Sequence, residues 1–213
     1  MEQAIGWIFL LTIFFFLILW TKKKPYLKDF ILVAFLLRAL CVLINEYEII
    51  ILPDSQDDAR TFELIARKFS SNYGLTIVLD FFKNDSLLMS RFISIFYTIF
   101  GESKMMAQCI SVIIGTLSVY MVYYLSNELW DHHSAKKAAW LTALFPNLVL
   151  YSSLTLREPY IVFFLLIGLI GILRFMQKNS FNSFLQAVTG FYLLIFFHGP
   201  TAVGGFIFLF YVI

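Results

Sequence analysis

From Met105 to Leu125 the chain carries no charged side chain. A helix of that length crosses the hydrocarbon core of a bilayer, ~30 Å thick at ~1.5 Å per residue. A soluble fold could bury one such segment, but this chain of 213 residues holds several. Ala4–Trp20 is a second uncharged run. Phe30 to about Leu52 is a third, interrupted by Arg38 and edged by Glu46 and Glu48. Ala138–Leu156 is a fourth, with Pro146 as its expected kink. Pro159 opens a fifth, in the first turn where proline is favoured, ending near Phe175. Phe184–Ile213 is apolar except for His198-Gly199-Pro200, which reads as a turn between two helices or a break within one. The composition agrees: 60% hydrophobic and 14% charged, where soluble domains carry about a quarter charged residues. The expected fold is an all-α polytopic membrane protein of about six or seven transmembrane helices, with a long external loop carrying juxtamembrane helices.

The lipid bilayer is therefore an expected partner. Nucleic acid is not, because 16 basic residues nearly balance 14 acidic ones. Cys41 and Cys109 lie inside apolar segments and read as buried thiols without metal-ligand spacing. The basic cluster follows the Ala4–Trp20 run rather than preceding it, and no small-residue cleavage site appears. That run reads as a retained helix, not a signal peptide.

Pro53 opens a polar stretch that runs to Lys104 and holds half of the acidic residues: Asp54, Asp57, Asp58, Glu63, Asp80, Asp85 and Glu102. Within it, Phe62, Ile65, Ala66 and Phe69 recur at helical spacing, with Arg60, Glu63, Arg67 and Lys68 placed away from them. That pattern suits a helix on the membrane surface. Leu87–Phe100 is apolar but short and contains Arg91, so it reads as a juxtamembrane or re-entrant helix rather than a span. Orientation follows from the loop bases. Lys22, Lys23, Lys24 and Lys28, then Lys136 and Lys137, then Arg174 and Lys178, follow the first, third and fifth spans, and these loops are assigned to the cytoplasm. The amino terminus and the acidic loop then face the periplasm, the cell exterior or a lumen.

Three places hold residues suited to chemistry. Asp54, Asp57 and Asp58 lie between a span and the surface helix, where a carboxylate meets both a lipid headgroup and a water-borne substrate; simple helix capping is the plainer role. Glu158, with Arg157, begins the helix of Pro159, on the same expected face of the membrane; it too could be a cap. Arg38 lies ~12 Å into its helix at ~1.5 Å per residue, a depth that requires protein, water or an anion beside it unless the side chain snorkels to the surface. His132 and His133 are adjacent in an expected polar loop, Asn127–Lys137. They read as solvated there and not as zinc ligands. His198 reads as a polar turn residue near the outer face, within reach of a substrate.

Several segments together resemble the GT-C glycosyltransferases, polytopic enzymes that include protein O-mannosyltransferases and lipid A aminoarabinose transferases. Asp58-Ala-Arg-Thr-Phe62-Glu-Leu-Ile-Ala66-Arg67 resembles their Asp-x-x-x-Tyr-x-x-x-Ala loop start, with Phe62 in place of the usual tyrosine. Phe100-Gly101-Glu102-Ser103, followed by the span with Gly115, resembles their Phe-Gly-x-Ser element, with Gln108 where many members carry arginine. Ala143-Leu-Phe-Pro146-Asn-Leu-Val-Leu-Tyr151-Ser152 and then Glu158-Pro159 resemble their Ala-Leu-x-Pro, Tyr-Ser and Glu stretch. The resemblance implies inverting transfer of a sugar from a polyprenyl-phosphate donor to a hydroxyl acceptor on a glycan, lipid or protein, at the external or luminal face. It implies a carboxylate base, for which Asp58 fits the helix spacing best and Asp54 or Asp57 are alternatives. Glu158 would be a second acid at the site. Arg157, Arg60, Arg67 or Lys104 would neutralise the leaving phosphate, with Arg38 and His198 as further substrate-binding candidates. No cofactor is required, and a divalent ion on the aspartates is compatible but not demanded.

On this reading, residues 1–29 are an extra transmembrane helix and basic loop, 30–176 the GT-C-like core with external loop 53–104, and 177–213 further transmembrane helices of a longer chain. Two rival classes stand beside it. One is an O-antigen-type polymerase or ligase, which would depend on His198 rather than Asp58. The other is a transport or structural subunit, which would pair ionisable residues within its spans; Arg38 is the one clear mid-span charge.

Overall fold

The computed structural model describes residues 1–80 and 87–197 and, singly, 203, 207 and 210. Asp85, the His198-Gly199-Pro200 break and most of the apolar run after it lie outside the described residues, which form helices and no strand. The elements are α1 Glu2–Lys23, α2 Lys28–Glu46, α3 Asp58–Tyr73, α4 Leu88–Phe100, α5 Lys104–Leu129, α6 His132–Leu144, α7 Pro146–Tyr151, α8 Glu158–Lys178 and α9 Phe181–Phe197.

Their boundaries follow local chemistry. Lys22 and Lys23 fill the last turn of α1, and Lys24 and then Pro25 stop that helix. Gly101, at φ 95°, ends α4 in a conformation that L side chains rarely adopt. Two residues later the Ser103 hydroxyl accepts from the Met106 amide at 3.2 Å and starts α5. The Phe-Gly-Glu-Ser element is thus a helix stop followed by a helix start. Asp131 caps α6 through the Ser134 amide at 2.7 Å. This cap replaces the expected polar loop Asn127–Lys137 with a two-residue turn, Trp130 and Asp131, and puts His132 and His133 on a helix. Phe145 is extended, as a residue before proline prefers, so Pro146 does more than kink its segment and divides it into α6 and α7.

Among the described residues, three helices are long and apolar enough to cross a membrane: α1, α5 and α8. The other expected spans differ from them for local reasons. In α2, Lys28, Asp29, Arg38 and Glu46 interrupt the apolar run. The segment after α5 is split by Pro146, and α9 is 17 residues long among the described residues. α5 is the axis of the bundle. Leu10 and Leu17 of α1, Phe30, Ala34 and Phe35 of α2, and Ala135, Ala139 and Ala143 of α6 share one core with Met105, Val112 and Val119 of α5. α8 and α9 pack closely: a Cβ added at Gly171 would lie 2.7 Å from Ala187 Cα. This contact between small residues suits helices that meet within a membrane.

The surface helix α3 lies on α4. Phe62 and Ala66 pack with Met89, Ile93 and Tyr97. Glu63, expected on the solvent side, is instead buried, because it accepts from Arg67 at 3.0 Å and from the Tyr97 hydroxyl at 3.4 Å. α4 is a short helix carrying buried Arg91. The pair brings the start of α1 to the start of α5, since Arg67 contacts both Glu2 and Glu102. At the opposite end of the bundle, Lys24 lies over the Tyr120 ring, and Tyr26 and Tyr123 surround His132.

Candidate functional site

Two cavities are lined by candidate residues. The larger is about 440 Å³ and lies between the end of α2, α3 and the start of α5. Arg60, Arg67, Lys104, Glu48 and Glu63 supply its charged wall, with Asn45, Ser55 and Gln56 beside them. Arg67 is held by Glu63 at 3.0 Å, Glu2 at 3.2 Å and Glu102 at 3.3 Å. Burial works against its charge, but Glu2 and Glu63 more than compensate and strengthen its hold on the proton. Burial first, and then the charge of Glu63, also raise the Tyr97 phenol and keep it protonated as a donor. Lys104 donates to the Asn45 carbonyl at 3.4 Å. Arg60, exposed on α3, has no ion-pair partner among the described residues. Of the three bases around this space, it has the freest guanidinium for an incoming anion.

The smaller cavity, about 30 Å³, has space for about one water molecule. Arg38 and Glu158 face it from α2 and α8, with Gly115, Ser118 and Ser152 beside them. Arg38 is 1% exposed. It does not snorkel: Nε donates to Ser152 Oγ at 2.7 Å, and Nη1 to the Ala34 and Ala143 carbonyls at 2.9 and 3.4 Å. Carbonyls and a hydroxyl thus meet the cost of this buried cation. One oxygen of Glu158, Oε2, is buried without a hydrogen-bond partner among the described residues. Gly115 makes the arrangement possible, since a Cβ there would lie 2.6 Å from Ser152 Oγ and 2.9 Å from Arg38 Nε.

The aspartates lie apart from both walls. Asp54, Asp57 and Asp58 are exposed and line neither cavity. Asp57 occupies the cap position of α3 without a side-chain cap bond. Asp54 sits at φ 61°, a left-handed conformation that aspartate tolerates. Ser55, beside it, closes the turn by donating to the Leu52 carbonyl at 2.6 Å. Ala59, next to Asp58, packs on Leu154 and Leu156 in the loop before Arg157 and Glu158. This contact brings two segments about a hundred residues apart to one end of the bundle. Among the described residues, no group of three or more His, Cys, Asp or Glu side chains could hold a metal ion. His198 lies outside the described residues.

Sequence reasoning assigned no role to Ser152, Gly115 or Asn45. Ser152 and Gly115 stand in the segments that carried the resemblance, and that was their only signal. Asn45 had none: a helix-end amide beside a distant lysine is visible only once α2 and α5 are packed.

Residues 84–213 match the model of a family described as dolichyl-phosphate-mannose-protein mannosyltransferase. The match covers more than half of the chain, including the Phe-Gly-Glu-Ser element, Gly115, Ser152 and Glu158, and begins after the helix that carries Asp58. No curated protein and no solved structure matches the chain.

Proposed function

The chain belongs to the dolichyl-phosphate-mannose-protein mannosyltransferase family, and from that premise we propose that it moves a sugar from a polyprenyl-phosphate donor to a hydroxyl acceptor at the end of the bundle where α3 lies. The family makes it a membrane glycosyltransferase of the GT-C type and sets aside the polymerase and transport classes. The observation that carries the finer reading is the packing of Ala59 on Leu154 and Leu156, which places the aspartate-bearing start of α3 beside the loop that ends at Glu158.

The chemistry requires little of the protein. The acceptor oxygen attacks the anomeric carbon from the face opposite the phosphate, the carbon–oxygen bond to phosphate breaks, and configuration inverts. The phosphate leaves with its bonding pair, so no general acid is needed. The acceptor proton passes to a carboxylate, the role assigned to Asp58, with Asp54 and Asp57 as alternatives. Exposed at the first position of α3, Asp58 is available to an entering hydroxyl. Arg60, two residues along α3 on the wall of the large cavity and unpaired among the described residues, is the cation for the departing phosphate, with Arg157 on the facing loop. Glu158 orients the acceptor or a water. The active end faces the exterior, periplasm or lumen, opposite the lysine-bearing loops.

The test is sugar transfer by the full-length protein from a polyprenyl-phosphate donor. Loss of a positioned base is expected to lower kcat by roughly 10²–10⁴ in Asp58→Asn. Unchanged turnover would remove Asp58 from that role.

A further inference from the structure

Among the described residues, one face of α6 is left uncovered. Ala135, Ala139 and Ala143 recur at every fourth residue and are fully buried against the core. Away from that stripe His133, Lys136, Lys137, Leu141 and Leu144 are exposed, and Trp140, half-buried with its ring against Phe30 of the core, borders them. They line a groove of about 700 Å³ that continues past Phe145 to Pro146. Leu141 is 73% exposed and Leu144 51%.

The groove changes character along its length. Its three ionisable residues are basic, lie at the start of the helix, and have no carboxylate among the residues lining the groove. The nearby Asp131 is engaged as the α6 cap. Below the lysines the wall is wholly apolar. Lys22–Lys24 and Lys28 belong to the same end of the bundle, joined to α6 through Tyr26 and His132. A ligand that fits must be anionic at one end and carry a long apolar chain at the other. Between Lys137 and Leu144 the helix rises ~10 Å, the depth of several methylenes.

We propose that the outer face of α6 binds an anionic phospholipid, with its phosphate between Lys136 and Lys137 and an acyl chain along Trp140, Leu141 and Leu144. A zwitterionic headgroup brings its own cation to the lysines and gains less there. A lysine near an anionic lipid surface contributes about a fivefold preference. This site is at the other end of the bundle from the proposed transfer site and does not depend on that reading.

The experiment compares retention of phosphatidylglycerol and acyl-matched phosphatidylcholine by the full-length protein in native mass spectrometry. Preferential retention of phosphatidylglycerol is expected, reduced roughly tenfold or more in Lys136→Gln/Lys137→Gln. Phosphatidylcholine retention and helical content should be unchanged in that variant, which separates lost recognition from lost folding. A photoreactive phosphatidylglycerol is expected to mark Trp140, Leu141 or Leu144. Equal retention of the two lipids, or an unaltered preference in the double variant, overturns the proposal. So does absence of label on these residues, which is the outcome if a second copy or another segment of this protein covers the groove.

Discussion

Gly115 shows how one missing methyl group organises a site. In an open helix, replacing glycine by alanine gains ~1 kcal/mol from backbone entropy. Here the added carbon would lie 2.6 Å from Ser152 Oγ and 2.9 Å from Arg38 Nε. Both neighbours are buried and hydrogen-bonded to each other, so neither yields without breaking that bond. Overpacking of this kind costs ~1–3 kcal/mol and reverses the sign of the helix preference. Gly115→Ala is therefore expected to lower the melting temperature of the purified protein; a rise in Tm would show that α5 does not approach Arg38 this closely. The same environment explains Arg38. Its depth in α2 was readable from the sequence, but the partners that make that depth tolerable come from α2, α6 and the end of α7. Three-dimensional packing alone could reveal them.

At the scale of elements, turns and caps decided what hydropathy left open. The segment after α5 is polar enough to read as a loop, yet Asp131 turns most of it into α6. Hydrogen bonding from Ser134 lowers the Asp131 carboxyl below its ordinary value of 3.8. A depressed carboxylate contributes stability that is fully present above the ordinary value and is lost as pH falls through the lowered one. The stability difference between the native protein and Asp131→Ala should therefore be constant from neutral pH down to about the ordinary value. It should shrink as the medium becomes more acid. Melting followed across that range reads it directly; a difference that persists in strong acid would mean the carboxylate is not the cap. α3 was legible as an amphipathic helix from Phe62, Ala66 and their neighbours. The burial of Glu63 was not, because it depends on Tyr97 across the α3–α4 contact and on Arg67 one turn away.

For the whole molecule, Arg67 joins elements that the sequence keeps far apart. Glu2 opens α1, Glu63 lies in α3, Glu102 precedes α5, and all three surround one guanidinium. A single exposed ion pair is worth little. Removing this cation has a larger consequence, because it leaves three carboxylates facing one another. Arg67→Gln should therefore destabilise the protein most at low ionic strength. About 1 M salt, where the Debye length is ~3 Å, should recover much of the loss. A loss that is the same at both ionic strengths would assign Arg67 a packing role instead. The large cavity beside Arg67 needs the same assembly, since its walls come from α2, α3 and α5 and the turn between α2 and α3.

By itself, the sequence determined the solvent and the class. Runs such as Met105–Leu125 can be satisfied only as helices in a bilayer, because every backbone polar group must bond within its own segment there. It also determined where charge gathers, since ions are excluded from those runs and must lie in the connections between them. The elements around Gly101, Ser152 and Glu158 were already recognisable as a family pattern. The tertiary structure alone decided which distant groups meet: Ala59 with Leu154 and Leu156, Arg38 with Ser152 across Gly115, and Arg67 with its three carboxylates. Periodicity records which face of a helix is apolar, but not which neighbour covers it. That choice belongs to packing, where the shape of small residues on α5, α6 and α8 sets how closely each helix can approach the next.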